Sequence, residues 1–594
     1  MLQPPPVPEA TTAGGYLLVL LIVIPVAGAL LAVAAGGRNL ERIALATLPF
    51  GLAVAIAIAL TMVPATGPLV YLLGAWAPPL GVALRADGLS TVMLVITAIV
   101  ICAIGVYARA DFRTPTGSAE ARAPFAFWIL LFAVWAGLNT AFVAGDLFTL
   151  YVALELLTFA AVPLVSLDGR AETLQAALRY LLFALVGSVL YLVGTALLYG
   201  AYGTLDIALL SRRVHAEPAT LVAAVLMTVG LLAKTALFPL HLWLPPAHAG
   251  APPAGSAVLS ALVVKGSFFI VVRLWFDVMP AVPSFAAMQV LGGLGAAAIL
   301  FGSVVALRQE RLKLLIAYST LAQIGYLFLM FPLAFAPASA HVESGGALSG
   351  GMLQAISHAT AKAAMFMSAG MIYAALGHDQ IAGLGGIARA LPASVGAFAL
   401  GGVALIGVPL GGAYLAKELL LNAAAETGQW WWAAVIQAGG IFTGAYLVLV
   451  LAHALAPADV PVTPRVSVPR YQQAAALALA ICSLLLGFVH WEAYLPVPHG
   501  TLSGSLGLKT LTTATWPLLA GAVLAILLGR WRAWPQRATW HRVVAAIIAP
   551  PRHTVVAVGG VLERADGALR QWPTAGLCLL VLVVTLGAAM LVRP

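Results

Sequence analysis

The chain has 594 residues, of which 62% are hydrophobic and 9% charged, with a mean hydropathy of +1.01. Soluble domains carry about 25% charged residues, so this composition excludes a soluble enzyme and marks an all-α polytopic membrane protein. The net charge of +9 belongs with basic loops at a membrane face rather than with nucleic acid.

Tracts of about 20 apolar residues, each long enough to cross a ~30 Å hydrocarbon core, recur throughout. Sixteen spans are expected, at 15–36, 41–62, 87–108, 123–143, 146–166, 173–199, 219–239, 254–276, 286–307, 311–334, 347–375, 395–420, 431–455, 472–491, 513–529 and 574–592. The N-terminal stretch MLQPPPVPEATTAGG lacks the basic flank of a signal peptide, so the first run reads as a retained helix. Residues 67–86 are too broken by Pro and Gly to span and read as an external, hairpin-like excursion.

Every second connection is basic, from Arg38 and Arg42 through Arg109, Arg113, Arg122 and Arg170 to Arg308, Arg311 and Lys313. The same alternation continues at Arg389, Arg465, Arg470 and Arg530, and only the pair Arg212 and Arg213 dissents strongly. By the positive-inside rule this set is cytoplasmic, which puts the N-terminus outside a prokaryotic inner membrane. After residue 530, Trp531, Trp534 and Trp540 interleave with arginines as at a membrane interface. Val555, Val558, Leu562, Ala565 and Leu569 then keep a helical spacing, with Glu563, Arg564, Asp566 and Arg570 mostly elsewhere on the wheel. That predicts an amphipathic cytoplasmic segment, 531–572, before the last span.

Several ionisable residues fall inside spans, where a charge costs about 2.5–3.5 kcal/mol on insertion scales. Glu155 lies nine residues after Asp146 and thirteen before Asp168, close to mid-membrane. Lys234 precedes Phe238, Pro239 and Leu240, which places it at the discontinuity of a broken helix. Lys265 lies eleven residues into its span, too deep to snorkel. His358 and Lys362 share a helix face at i and i+4, with Gln354 one turn back. Lys417 follows Pro409, Gly411 and Gly412 and adjoins Glu418, so an interfacial ion pair competes with a transport role. His241 and His248 flank a Trp-Leu-Pro-Pro loop, and Tyr318, Ser319, Thr320 and Gln323 form a polar patch. Of these, His241, His248, Tyr318, Gln323 and Gln354 are accessory candidates. A line of Glu, Lys and His at mid-depth has a use without redox chemistry: moving one partner of an ion pair switches a buried lysine between its charged and neutral forms. No catalytic residue, cofactor or metal ligand set is expected. Cys102, Cys482 and Cys578 lie far apart in apolar tracts, without metal or disulfide spacing. The echo of GLLAKTALFP in AYLAKELLLN, five spans apart, suggests inverted internal repeats.

The runs GDLFTLYVALELLTF, LLAKTALFPLHLWLPPAHAGAPPAG, LRQERLKLLIAYSTLAQIGYLFL, ISHATAKAAMFMSAG and GVPLGGAYLAKELLL resemble the antiporter-like proton-translocating subunits. These occur in complex I, in Mrp cation/proton antiporters and in energy-converting hydrogenases. The ending, with GQWWWAAVIQAGG, is most similar to D-type Mrp-related subunits. The resemblance implies a fourteen-helix core with two inverted five-helix repeats, here 123–276 and 286–455, between an N-terminal unit 1–122 and a C-terminal unit 456–594. It implies that Glu155 pairs with Lys234, that Lys265 connects to His358 and Lys362, and that Lys417 terminates the proton path. The family's usual Pro-Pro before that lysine is Pro409-Leu410 here. The implied function is proton translocation in a multisubunit complex, with other membrane subunits and lipid as partners and Na⁺ or K⁺ as possible co-substrates. The alternatives are a quinone oxidoreductase subunit without its own redox centre and a membrane subunit supporting inorganic-carbon uptake.

Overall fold

The structure, a computed structural model, describes residues 10–63, 67–114, 121–335, 345–409, 411–458, 462–497, 508–527 and 557–592. The first helices are α1 (Tyr16–Ala35), α2 (Gly37–Met62), α3 (Gly88–Asp111), α4 (Arg122–Val143), α5 (Leu147–Val165) and α6 (Ala171–Tyr202). A short α7 (Ile207–Arg213) leads to α8 (Pro218–Thr235) and α9 (Leu244–Gly250). Then come α10 (Pro253–Val278), α11 (Phe285–Arg308), α12 (Leu312–Ala334) and α13 (Gly345–Leu376). The rest are α14 (Pro392–Ile406), α15 (Gly412–Glu426), α16 (Trp430–Leu455), α17 (Arg470–Phe488), α18 (Leu508–Leu527), α19 over 557–569 and α20 (Trp572–Leu591). Among the described residues, 14 helices are long and apolar enough to cross a membrane.

The expected spans match these helices closely, with two informative differences. The span drawn at 219–239 stops at Thr235, because Ala236 turns into the left-handed region at φ 59. The span drawn at 395–420 is two helices, since Gly407 at φ 92 ends α14 and a new helix starts at Gly412. Residues 67–86 form an antiparallel hairpin of β1 (Leu69–Leu72) and β2 (Ala83–Ala86), with Leu69 opposite Ala86. Gly145 donates to Ala83 O at 3.1 Å, and Arg85 meets Asp206 at 2.9 Å, which ties the hairpin to the turns before α5 and α7.

Short acidic and hydroxyl side chains start several helices, as the exposed N–H groups of a first turn require. Asp87 caps α3 through Ser90 N, Asp146 caps α5 through Phe148 N and Thr149 N, and Ser284 caps α11 through Ala287 N. Burial then sorts the helices. In α1 and α2, 28% of the most apolar stretch is buried, against 94% in α10 and α12. The outer faces of α5 and α6 present Val152, Phe159, Leu178, Leu182 and Val189, as membrane-facing residues should. Charge inside α10, α12 and α13 is therefore enclosed by protein.

The amphipathic segment expected at 531–572 is described from residue 557 onward; Trp531, Trp534 and Trp540 lie outside the described residues. Its wheel needs one correction. The side turned inward carries Gly559, Leu562, Asp566 and Leu569, while Val558 is exposed. Asp566 occupies the buried side because it finds partners there.

Candidate functional site

Small residues bring the first pair together. At the crossing of α6 and α8, a Cβ on Gly230 would stand 2.3 Å from Gly187 O, so only glycine allows this approach. That contact sets the end of α8 against α5. Lys234 Nζ donates to Thr158 Oγ1 at 2.7 Å and reaches Glu155 Oε1 and Leu154 O, each at 3.4 Å. Ser188 donates to the same Glu155 oxygen. Lys234 is 6% exposed and Glu155 17%, so the pair is shielded from one side more than the other.

Immediately after Lys234 the helix is interrupted through residues 236–243, and Trp243 Nε1 closes the gap by donating to Ala233 O at 3.0 Å. One residue beyond Lys234, Thr235 Oγ1 donates to Ser267 Oγ at 3.0 Å, which joins α8 to α10 two residues past Lys265. Lys265 sits two residues after a π-helical turn at Leu259–Val263, a wider coil that often marks functional positions. Its Nζ donates to Ser260 O at 2.5 Å and to His358 Nδ1. His358 Nε2 has no hydrogen-bond partner among the described atoms, so the ring has one engaged and one open nitrogen.

One turn on, Lys362 donates to Ser319 Oγ and to Ile316 O at 3.4 Å. Ser319 in turn donates to Tyr446 OH at 2.8 Å. Gln354 Nε2 donates to Gln323 Oε1 at 2.7 Å, and Gln323 Nε2 to Thr443 Oγ1 at 3.4 Å. These amides and hydroxyls carry the polar line from α13 through α12 to α16. Lys417 stands at the second interruption. It donates to Leu405 O and Ile406 O at 3.2 and 2.9 Å, and its Nζ lies 4.9 Å from the centre of the Tyr326 ring. The last carbonyls of α14 have no intrahelical donors and carry the negative end of the helix dipole, so the break builds a site for a cation. The neighbouring Glu418 is held by Tyr414.

The accessory candidates divide. Gln323 and Gln354 belong to the line. His248 is fully buried and stacked on Phe366 at 4.7 Å, with both ring nitrogens unpartnered among the described residues. It adjoins a 270 Å³ recess lined by Asp168, Arg170, Ala249, Arg311, Lys313 and Tyr373. His241 and Tyr318 lead elsewhere: both bind Asp566, at 3.1 and 2.6 Å. Sequence reading misses Thr158, Ser188, Tyr446 and Thr443 because a lone hydroxyl in an apolar span carries no signal of its partner. No group of three His, Cys, Asp or Glu among the described residues is placed to hold a metal.

Comparison with known proteins adds independent findings. The family described as NADH:quinone oxidoreductase/Mrp antiporter, transmembrane, matches residues 144–443. The N-type subunit of an NADH-quinone oxidoreductase from Desulforudis audaxviator is 34% identical over 460 residues, 75% of this chain and 88% of that one. The D-type subunit of a Na⁺/H⁺ antiporter from Alkalihalophilus pseudofirmus is 30% identical, over 62% of this chain and 73% of its own. A chain of the Mrp complex from Dietzia superposes with a TM-score of 0.73, covering 86% of this chain and 99% of that one at 24% identity.

Proposed function

The chain belongs to the NADH:quinone oxidoreductase/Mrp antiporter transmembrane family, and from that membership we propose that it moves protons along the buried line from Glu155 to Lys417. It is an antiporter-like membrane subunit of a Mrp- or complex I-type assembly. The observation that carries the proposed path is the pairing of two interrupted helices with two enclosed lysines, each lysine beside its break.

Electrostatics gives the line a working principle. Two unit charges 4 Å apart interact by about 4 kcal/mol at an effective dielectric of 20. Lys265 and His358, in direct contact, therefore disfavour carrying a proton each, and a proton arriving at one tends to drive another onward. Lys234 is steadied in its charged form by Glu155. Moving Glu155 away, or protonating it, removes that support and releases the lysine's proton toward Thr235, Ser267 and the α10 side. At the far end, Lys417 gains its support from the α14 carbonyls. The recess beside His248 provides the cytoplasmic mouth, where Lys313 donates to Ala251 O at 2.6 Å.

The two halves, 123–276 and 286–455, are read as inverted repeats. In support, each half places a lysine at a helix interruption, although the shared Leu-Ala-Lys falls before the break in one and after it in the other. The chain's partners are other membrane subunits, as in the Mrp complex that it resembles. Its N-terminus lies outside, from the alternation of basic loops. Energy for net transport comes from those partners or from a cation gradient. Proton uptake by vesicles holding the native complex, measured with and without Na⁺, tests this reading. Uptake that follows the complex supports it, and a complex that moves no protons under any gradient overturns it.

A further inference from the structure

The helix α19 turns a carboxylate inward. Asp566 is 5% exposed, on a helix whose Val558 and Val561 are at least half exposed. Both of its oxygens are engaged. Oδ2 accepts from Tyr318 OH at 2.6 Å and meets Arg570 one turn later, while Oδ1 lies 3.1 Å from His241 Nε2. The Arg570 guanidinium also covers the Tyr318 ring, at 5.6 Å. A buried ion pair is a poor device for stability alone, since desolvation consumes much of the attraction, and its best-attested use is to fix a unique register.

The register fixed here is that of the first helix interruption. His241 lies within residues 236–243, seven residues after Lys234, and is fully enclosed. Its ring stacks on Phe238 at 5.6 Å and meets Phe301 edge-on at 5.4 Å. The other anchor of α19 is different in kind. Glu563 binds Arg308 at 3.0 and 3.2 Å in a partly exposed setting. It holds the helix to the end of α11, outside the interrupted segment.

We propose that Asp566 is a positioning residue: through His241 it fixes the interruption beside Lys234, so that α19 governs transport without lying on the path. The proposal rests on the path proposed above. It separates α19 into one contact that anchors and one that aligns.

The test compares Asp566→Asn, Asp566→Glu and Glu563→Gln in the native complex. Hydrogen exchange over 236–243 should rise about tenfold in Asp566→Asn, and proton transport should fall about fivefold with the subunit still assembled. Asp566→Glu, which keeps the charge, should recover transport to within about threefold of wild type. Glu563→Gln should stay within about twofold on both measures. Because removing the carboxylate strands Arg570, the double variant Asp566→Asn/Arg570→Gln is read beside it. Unchanged exchange over 236–243 overturns the alignment, whatever happens to transport. Raised exchange with normal transport overturns the functional role, as does failure of both Asp566→Asn and Asp566→Asn/Arg570→Gln to assemble. The exchange measurement does not depend on the proton path, so a failure of that path is told apart from a failure of the latch.

Discussion

Lys234 Nζ lies 3.4 Å from Glu155 Oε1, across 79 residues of sequence, at the last turn before an interrupted helix. The lysine is also held by Thr158 and the carboxylate by Ser188, so each partner keeps a neutral hydrogen bond when the ion pair opens. On the proposed path, a pair built this way keeps a hydrogen bond to each partner when it opens, as a switch requires.

Lys417 rests on main-chain carbonyls of α14 rather than on a terminal ion pair. Lys417→Ala should lower proton transport about tenfold, roughly 1.4 kcal/mol of barrier, while the amount of assembled complex stays near normal. Transport assays and native gels on the same membranes check this. A loss of assembly in proportion to transport would restore the ion-pair account.

Lys265 and His358 touch and should act as one unit. Lys265→Gln and His358→Gln should each lower transport about tenfold or more, and the double variant should be little worse than the worse single one. Additive losses in that cycle would place the two residues on separate routes.

The glycine crossing that seats Lys234 is tested by size alone. Gly230→Ala puts a Cβ against Gly187 O and should cost about 1–3 kcal/mol of stability as overpacking. Gly200→Ala, with open space around it, should be neutral or stabilising by about 0.5–1 kcal/mol. Thermal unfolding of the purified complex separates the two.

At the opposite face, Arg273 binds both oxygens of Asp87, at 2.5 and 2.6 Å. Burial pushes the Asp87 carboxyl up, but the Arg273 guanidinium and Ser90 more than offset this and leave it below its ordinary value. A carboxyl held low contributes stability at neutral pH and loses it as the pH falls through the lowered value. Asp87→Asn should therefore destabilise by about 1 kcal/mol at pH 7, discounted for solvent screening because the Asp87 side chain is 38% exposed. Wild type and variant should converge as the pH is taken below 3.8, the ordinary value.

Much of this site is legible in the sequence, for physical reasons. A span length fixes depth, so Lys265 and Glu155 declare themselves as charges at mid-span. Pro239 near Lys234, and Pro409 with Gly411 and Gly412 before Lys417, announce helices that cannot run straight. Helical spacing puts His358 and Lys362 on one face. What stays hidden is set by long-range contact. Asp566 meets His241 across 325 residues, and Ser319 meets Tyr446 across 127. A helical wheel places Asp566 with the polar residues because it holds the residue's own chemistry and not the partners waiting for it. His241 and Tyr318 stand out in the sequence as unusual, but their shared partner is α19 rather than the line of buried lysines.

The central claim rests on Glu155. Proton uptake should be measured in vesicles containing the native complex with Glu155→Gln, alongside the amount of the variant chain retained in it. The account predicts that coupled uptake is lost while the chain stays assembled, and near-normal uptake would contradict it.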